Sequence, residues 1–295
     1  MIYGIKRIAK YLLGADIAGR SLAVRPDDAF IVSYPRSGNT WTRFLIANLM
    51  HPEKEVSFKN IESLIPDCEA QSSKYMKSVP RPRLIKSHEY FDPRYRKVLY
   101  IVRDPRDVAL SYYDFARKYR QVDDTYPLTA FVSDFVAGRL SSADWGTWGE
   151  NVASWVYTRS GQTSFLLLRY EDMQTDTVAA LAKVAAFMGI EADQERLATA
   201  VQRSSADRMR TMEKTEAEQW VSTKNKRSDI PFVRSASAGL WRVKLPAESI
   251  AEIEAAWQPL MKSLGYALVG EGSEGEVPLS AATGDPSRKT IEVLG

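Results

Sequence analysis

Apolar residues fall along this chain in two alternating rhythms. Short runs at Ala29 to Tyr34, Leu84 to Ser87, Lys97 to Val102 and Ser164 to Arg169 end in polar or Pro/Gly-containing turns. Such runs are the pattern of strands buried on both faces. Between them the spacing becomes helical. Phe44, Leu45, Leu49 and Met50 give a buried face to a helix that follows the first run, and Thr177 to Met188 reads as a helix stopped by Gly189. Ile250, Ile253, Trp257, Leu260, Met261 and Leu264 mark a last core helix stopped by Gly265. Alternation of this kind predicts an α/β fold, a single domain with a central parallel sheet flanked by helices. Ligands of such sheets sit outside the carboxyl ends of the strands, so the residues following each strand are the ones to inspect.

The two ends of the chain differ from this middle. Ile2, Ile5, Ile8 and Leu12 stand at helical spacing with Lys6, Arg7 and Lys10 between them, and Asp16 interrupts the apolar pattern. This predicts a short amphipathic helix that covers a core edge or lies on a membrane surface, and neither an integral span nor a signal peptide. From Val269 onward Gly, Ser, Glu and Pro replace any core period, which predicts a flexible tail. The boundaries are therefore an N-terminal lead-in over 1–28, a folded domain over 29–268 and a tail over 269–295.

Composition narrows the class. With 44% hydrophobic and 26% charged residues, the chain is neither fibrous nor wholly disordered. A net charge of +3, from 40 basic and 37 acidic residues interspersed with one another, carries no nucleic-acid footprint, so anion binding must come from local clusters. The one cysteine, Cys68, excludes an intramolecular disulfide and fits a reducing cytoplasm.

The first strand end reads Tyr34-Pro35-Arg36-Ser37-Gly38-Asn39-Thr40-Trp41 and runs into a helix. A helix N-terminus presents unpaired amides and positive dipole, so a loop of small residues there can cradle a phosphate. Gly38 admits close backbone approach, Ser37 and Thr40 offer hydroxyls, Arg36 adds charge, and the Trp41 indole can stack on a base. The Walker spacing and lysine are missing, which removes support for a magnesium-dependent mechanism, and no metal site is implied. At the next strand end, Asp104-Pro105-Arg106-Asp107 signals a helix start, with Arg103 at the strand tip and Ser111 two turns into the helix, together able to hold a second phosphate. Lys86 and His88 end a third strand, where group transfer needs a base and a cation. The only other histidine, His51, precedes Pro52 in a polar loop and reads as an exposed structural residue.

These segments resemble the sulfotransferase family that uses 3′-phosphoadenosine-5′-phosphosulfate (PAPS) as donor. Tyr34 to Trp41 is similar to its P-loop-like 5′-phosphosulfate loop, commonly written Tyr-Pro-Lys-Ser-Gly-Thr-Thr-Trp, with Arg36 in place of lysine and Asn39 in place of threonine. Arg103 and, eight residues on, Ser111 before Tyr112-Tyr113 match its 3′-phosphate motif. Lys86-Ser87-His88 resembles its Lys-Thr-His, which implies His88 as general base with Lys86 and Arg36 as stabilisers of the sulfuryl oxygens. Tyr170-Glu171-Asp172-Met173 resembles the segment whose tyrosine lies against the adenine. Phe232 to Trp241 resembles the closing loop Phe-x-Arg-Lys-Gly-x-x-Gly-Asp-Trp: Arg234, Gly239 and Trp241 are kept, while Ser235, Ala236 and Leu240 replace lysine, glycine and aspartate. Ser204 and Ser205 align weakly with a Thr-Ser pair, and Gly146 to Trp155 with a stretch taken as core or acceptor wall. The family's dimer segment is absent, Arg242 to Pro246 standing there, so no oligomeric state is implied.

The resemblance implies donor-binding residues Arg36, Ser37, Gly38, Asn39, Thr40, Trp41, Arg103, Ser111, Tyr170, Arg234, Ser235 and Ala236. The expected products are a sulfate ester and 3′-phosphoadenosine-5′-phosphate (PAP). The acceptor is a hydroxyl on a small molecule, lipid or glycan, facing loops within Ile65 to Pro82, Ala116 to Trp145 and Val221 to Pro231. Two other classes stay open: a donor-binding module that has lost catalysis, prompted by Ser235, Ala236 and Leu240, and a nucleotide kinase using the first loop for ATP.

Overall fold

The structure is a computed structural model that describes residues 16–234 and 237–270. The expected N-terminal helix, Ser235, Ala236 and the tail beyond 270 lie outside the described residues.

Four parallel strands form the sheet: β1 (Ala29–Ser33), β2 (Leu84–Ser87), β3 (Lys97–Val102) and β4 (Phe165–Arg169), in the order β2-β1-β3-β4. β1 and β3 are buried along almost their whole length, as their unbroken apolar runs demand, and the two-residue period of a strand sorts their side chains between two cores. Phe30 and Val32 join Val98, Tyr100 and Val102 on one face. Ala29 and Ile31 join Leu99 and Ile101 on the other.

Nine helices matter for the argument: α1 (Asn39–Met50), α2 (Pro105–Lys118), α3 (Leu128–Val136), α4 (Trp148–Arg159), α5 (Tyr170–Thr175), α6 (Thr177–Met188), α7 (Gln194–Arg203), α8 (Ala206–Glu216) and α9 (Ala247–Ser263). The first face is covered by α2, α3, α4 and α9 through Val108, Phe131, Trp155 and Ile253. The second is covered by α1, α6, α7 and α8 through Phe44, Leu181, Leu197 and Met209. Expected starts and stops recur in the caps: Asp104 accepts from Arg106 N at the start of α2, and Gly189 ends α6 at φ 74°.

One segment departs from expectation. Ala116 to Trp145, expected as acceptor-facing loop, contains α3, whose Phe131, Val132 and Phe135 are core residues. Outside β2, the chain at Pro66 to Cys68 runs as a short added edge: Lys86 N donates to Pro66 O at 2.9 Å and Cys68 N to Lys86 O at 3.1 Å. This edge delivers the next residue, Glu69, to the tip of β2.

Candidate active site

The turn between β1 and α1 has the geometry of an anion cradle. Arg36 and Gly38 both adopt positive φ, 69° and 98°, on either side of Ser37. No side chain caps α1, so its first amides have no side-chain acceptor. Only glycine fits at position 38, since a Cβ there would lie 2.5 Å from the Tyr170 ring. Ser37 is fully buried and its hydroxyl has no partner among the described residues. Asn39 behaves differently from a free donor: its amide nitrogen donates to Ile31 O and Ser33 Oγ, both at 3.2 Å, and so ties the loop to its strand. Thr40 borders the cavity, while the Trp41 indole is pinned through its N–H to Ser204 O at 3.1 Å and meets Tyr170 edge to face at 5.7 Å.

Two guanidiniums converge on this turn. Arg36 donates to Ser111 Oγ at 3.2 Å and lies 5.0 Å from the centre of the Phe115 ring and 4.7 Å from that of Phe232. Arg103, at the tip of β3, donates to Arg36 O at 3.2 Å and to Ser237 O at 3.1 Å, with its guanidinium carbon 4.4 Å from the centre of the Tyr170 ring. Neither has a carboxylate partner among the described residues, and the Arg103 Nε is buried without a hydrogen bond. Burial pulls Arg36 down to about 10, Arg103 adds to the shift, and the side chain stays cationic at neutral pH. Arg234 reaches the same cavity and pairs with Asp114; burial and then the Arg36 and Arg103 cations push it down to about 9. Cations removed from water without a carboxylate partner are costly, so a pair of them bordering one cavity suits an anionic ligand.

Lys86 and His88 stand at the tip of β2. Burial opposes the Lys86 charge, but Asp67 at 2.9 Å and Glu69 at 3.0 Å outweigh it and hold the amine above its ordinary value. His88 Nδ1 lies 2.7 Å from Ser33 O. A carbonyl only accepts, so Nδ1 carries the proton of the neutral ring and Nε2 is left with the lone pair. Burial, reinforced by the Lys86 cation, pushes His88 down to about 3, which keeps the ring neutral at pH 7.

Arg36, Gly38, Asn39, Thr40, Trp41, Lys86, His88, Arg103, Ser111, Tyr170 and Arg234 all border one cavity of about 700 Å³, with Ser37 buried directly beneath it. Three further residues went unnoticed in the sequence as parts of this site. Asp67 and Glu69 line the cavity beside Lys86. Asp107, legible only as an acid in the first turn of α2, accepts from Gly239 N at 2.6 Å and Trp241 N at 3.0 Å and so anchors the closing loop. Ser204 is buried, holding Asn48 and Trp41, whereas Ser205 caps α8 and borders the cavity.

A family model described as "Sulfotransferase domain" matches residues 26–265. Among curated proteins, rabbit (Oryctolagus cuniculus) sulfotransferase 1C2 is 29% identical, the match covering 76% of this chain and 79% of that protein. Rabbit amine sulfotransferase is 23% identical over 81% of this chain and 82% of its own. Among solved structures, mouse sulfotransferase SULT7A1 in complex with PAP superposes with a TM-score of 0.66 at 24% identity, covering 83% of this chain and 88% of that one. Retinol dehydratase in complex with retinol and PAP gives 0.67 at 21% identity, covering 85% and 86%. Since the model spans the sheet, the cradle and the last core helix, this chain belongs to the PAPS-dependent sulfotransferase family.

Proposed function

We propose that the chain transfers a sulfuryl group from PAPS to a hydroxyl of a small acceptor, with His88 as general base. The observation that carries this is the pair of guanidiniums, Arg36 and Arg103, without carboxylate partners among the described residues, at a helix N-terminus with no side-chain cap and at a strand tip. A donor with phosphate groups at both its 5′ and 3′ positions offers one anionic group to each of two cations. The partnerless Ser37 hydroxyl and Arg103 Nε are the further donors such a ligand would satisfy, and PAP in the complexes of the two structural relatives supports the same assignment.

In this mechanism the neutral His88 takes the acceptor's proton on Nε2 while Nδ1 stays fixed on Ser33 O. Lys86, kept charged by its carboxylates, and Arg36 stabilise the sulfuryl oxygens and the leaving phosphate. A loose transition state leaves the protein to supply mainly position and charge. Tyr112, Phe115, Tyr119 and Trp145 on the cavity wall favour an acceptor with an apolar, flat body. The lone buried Cys68 is the ground for a cytoplasmic setting, and no helix among the described residues is long and apolar enough to cross a membrane.

The test is calorimetric titration with PAP and with ADP, followed by transfer from labelled PAPS to a simple phenol. Tight PAP binding, weak ADP binding and magnesium-independent transfer are expected. Preference for ADP with magnesium would transfer the site to the kinase class, and PAP binding without transfer would make it a binding module.

A further inference from the structure

We propose that Glu69 is a positioning residue of this site, one carboxylate that fastens the Lys86 amine and the His88 backbone into a single frame. The proposal rests on the sulfuryl transfer set out above and assigns part of its machinery to the edge segment outside β2.

Glu69 contacts three consecutive residues. Oε2 accepts from Lys86 Nζ at 3.0 Å, and Oε1 accepts from the His88 backbone N–H and from Ser87 Oγ, the latter at 3.4 Å. β2 is the outermost strand of the sheet, and His88 lies one residue past its end, where the ladder to β1 has stopped. Its N–H therefore has no strand carbonyl to meet, and Glu69 supplies the acceptor instead. The reach follows from the local chain: Pro66 and Cys68 bond Lys86 through the backbone, then Glu69 N turns back onto Asp67 Oδ1 at 2.9 Å. Asp67 is the informative neighbour, because it reaches the Lys86 amine at 2.9 Å and makes no hydrogen bond to His88.

The rest of His88 is held from other directions. Asn151 Nδ2 donates to His88 O at 2.9 Å, and Ser33 O receives Nδ1. Without Glu69 the backbone amide is freed while both other ties remain, so the imidazole tilts about them and does not leave the cavity. Displacement of a reacting group by about 1 Å costs on the order of 10²-fold in rate.

The chain contains only two histidines, so ring resonances report on His88 directly, with His51 beside Glu53 as internal reference. In Glu69→Ala we expect the His88 ring and backbone amide signals to move while the His51 ring signals stay. We also expect kcat for a simple phenol to fall on the order of 10²-fold and PAP affinity to change by less than roughly threefold, since Arg36 and Arg103 are untouched. Glu69→Gln, which keeps an acceptor oxygen for the His88 N–H, should recover about tenfold of the lost kcat. Asp67→Asn removes a charge that raises the His88 midpoint but no hydrogen bond to His88, so it should leave the His88 backbone amide resonance in place.

Unmoved His88 signals in Glu69→Ala would overturn the proposal. So would a pure rise in acceptor KM, which would make Glu69 an acceptor-binding group, or a shift of the His88 backbone amide resonance in Asp67→Asn equal to that in Glu69→Ala. Loss of PAP binding together with thermal stability would mark a merely structural role and also overturn it. Failure of the wild-type chain to transfer sulfate would remove the function proposed above, whereas the His88 resonances would still decide the positioning role.

Discussion

His88 is held with its proton on the ring nitrogen bonded to a backbone carbonyl. Its Nδ1 faces Ser33 O and its pKa lies at about 3, so the free enzyme carries an unprotonated Nε2 across the whole neutral range. The acid limb of kcat/KM should therefore fall well below the ordinary histidine value of about 6.5; a limb centred there in a pH–rate profile would contradict the geometry. His88→Ala should lower kcat on the order of 10²-fold to 10⁴-fold while PAP still binds, as single-turnover and calorimetric measurements would separate. Gly38 makes a second residue-scale prediction. A methyl there meets the Tyr170 ring at 2.5 Å and forces a side chain into φ 98°. The backbone cost alone is about 1–2 kcal/mol, and moving Tyr170 also disturbs its stacking under Arg103. Gly38→Ala should weaken PAP binding by at least about tenfold in a titration. At this scale the sequence was informative wherever a residue stood at a strand end next to small or cationic neighbours. Asp67 and Glu69 lacked such a context: they lie in a loop whose proximity to Lys86 is created only when Pro66 to Cys68 pairs with β2.

The unit that carries the chemistry is the strand followed by its helix, and the β3–α2 junction shows how much one acid can organise. Asp104 caps α2 and pairs with the buried Arg106, while Asp107, one turn later, receives the Gly239 and Trp241 amides from the closing loop. That loop in turn presents Ser237 O to Arg103, so the position of a cation of the proposed donor site depends on an acid one step removed from it. Hydrogen bonds to a charged acceptor contribute about 1.5–3 kcal/mol each. Asp107→Ala removes two such bonds and should lower unfolding free energy by about 3–6 kcal/mol, read from urea denaturation, and weaken PAP binding, whereas the neutral amide of Asp107→Asn should lie between it and wild type. Elements with strong local signals were legible: β2 and β3 begin and end where their apolar runs do, and α6 runs from Thr177 to Gly189 as its spacing implies. α3 was hidden because Pro127 is its only start signal and its apolar face is short, so packing against Tyr112 and Trp257 gives it a place that propensity alone does not announce.

Across the whole molecule the sheet separates two cores, and its carboxyl edge collects the charges that neither core can hold. Most are closely paired or face the cavity, but Glu89 has only a long contact to a cation. It is fully buried just past β2, with Tyr95 Oη at 3.5 Å and Arg20 at 3.7 Å, and one of its oxygens has no partner among the described residues. Burial, and then the neighbouring Glu69 carboxylate, push it up to about 8. Below the unfolded-chain value of 4.5 both states hold this proton, and the fold keeps the full benefit. Between 4.5 and about 8 the unfolded chain has lost the proton and the folded chain retains it, so stability declines with rising pH and levels off above that range. His88 acts with the opposite sign on the acid side, because between 6.5 and about 3 only the unfolded chain gains its proton. The two effects place the stability maximum on the acid side of neutrality. Thermal midpoints should fall between about pH 6.5 and 8 in the wild type, where the His88 effect no longer offsets that of Glu89, and Glu89→Gln, neutral at every pH, should remove that decline. Parallel curves for the two proteins would show that Glu89 is ionised inside the fold, and the Arg20 contact would then have to be a true ion pair.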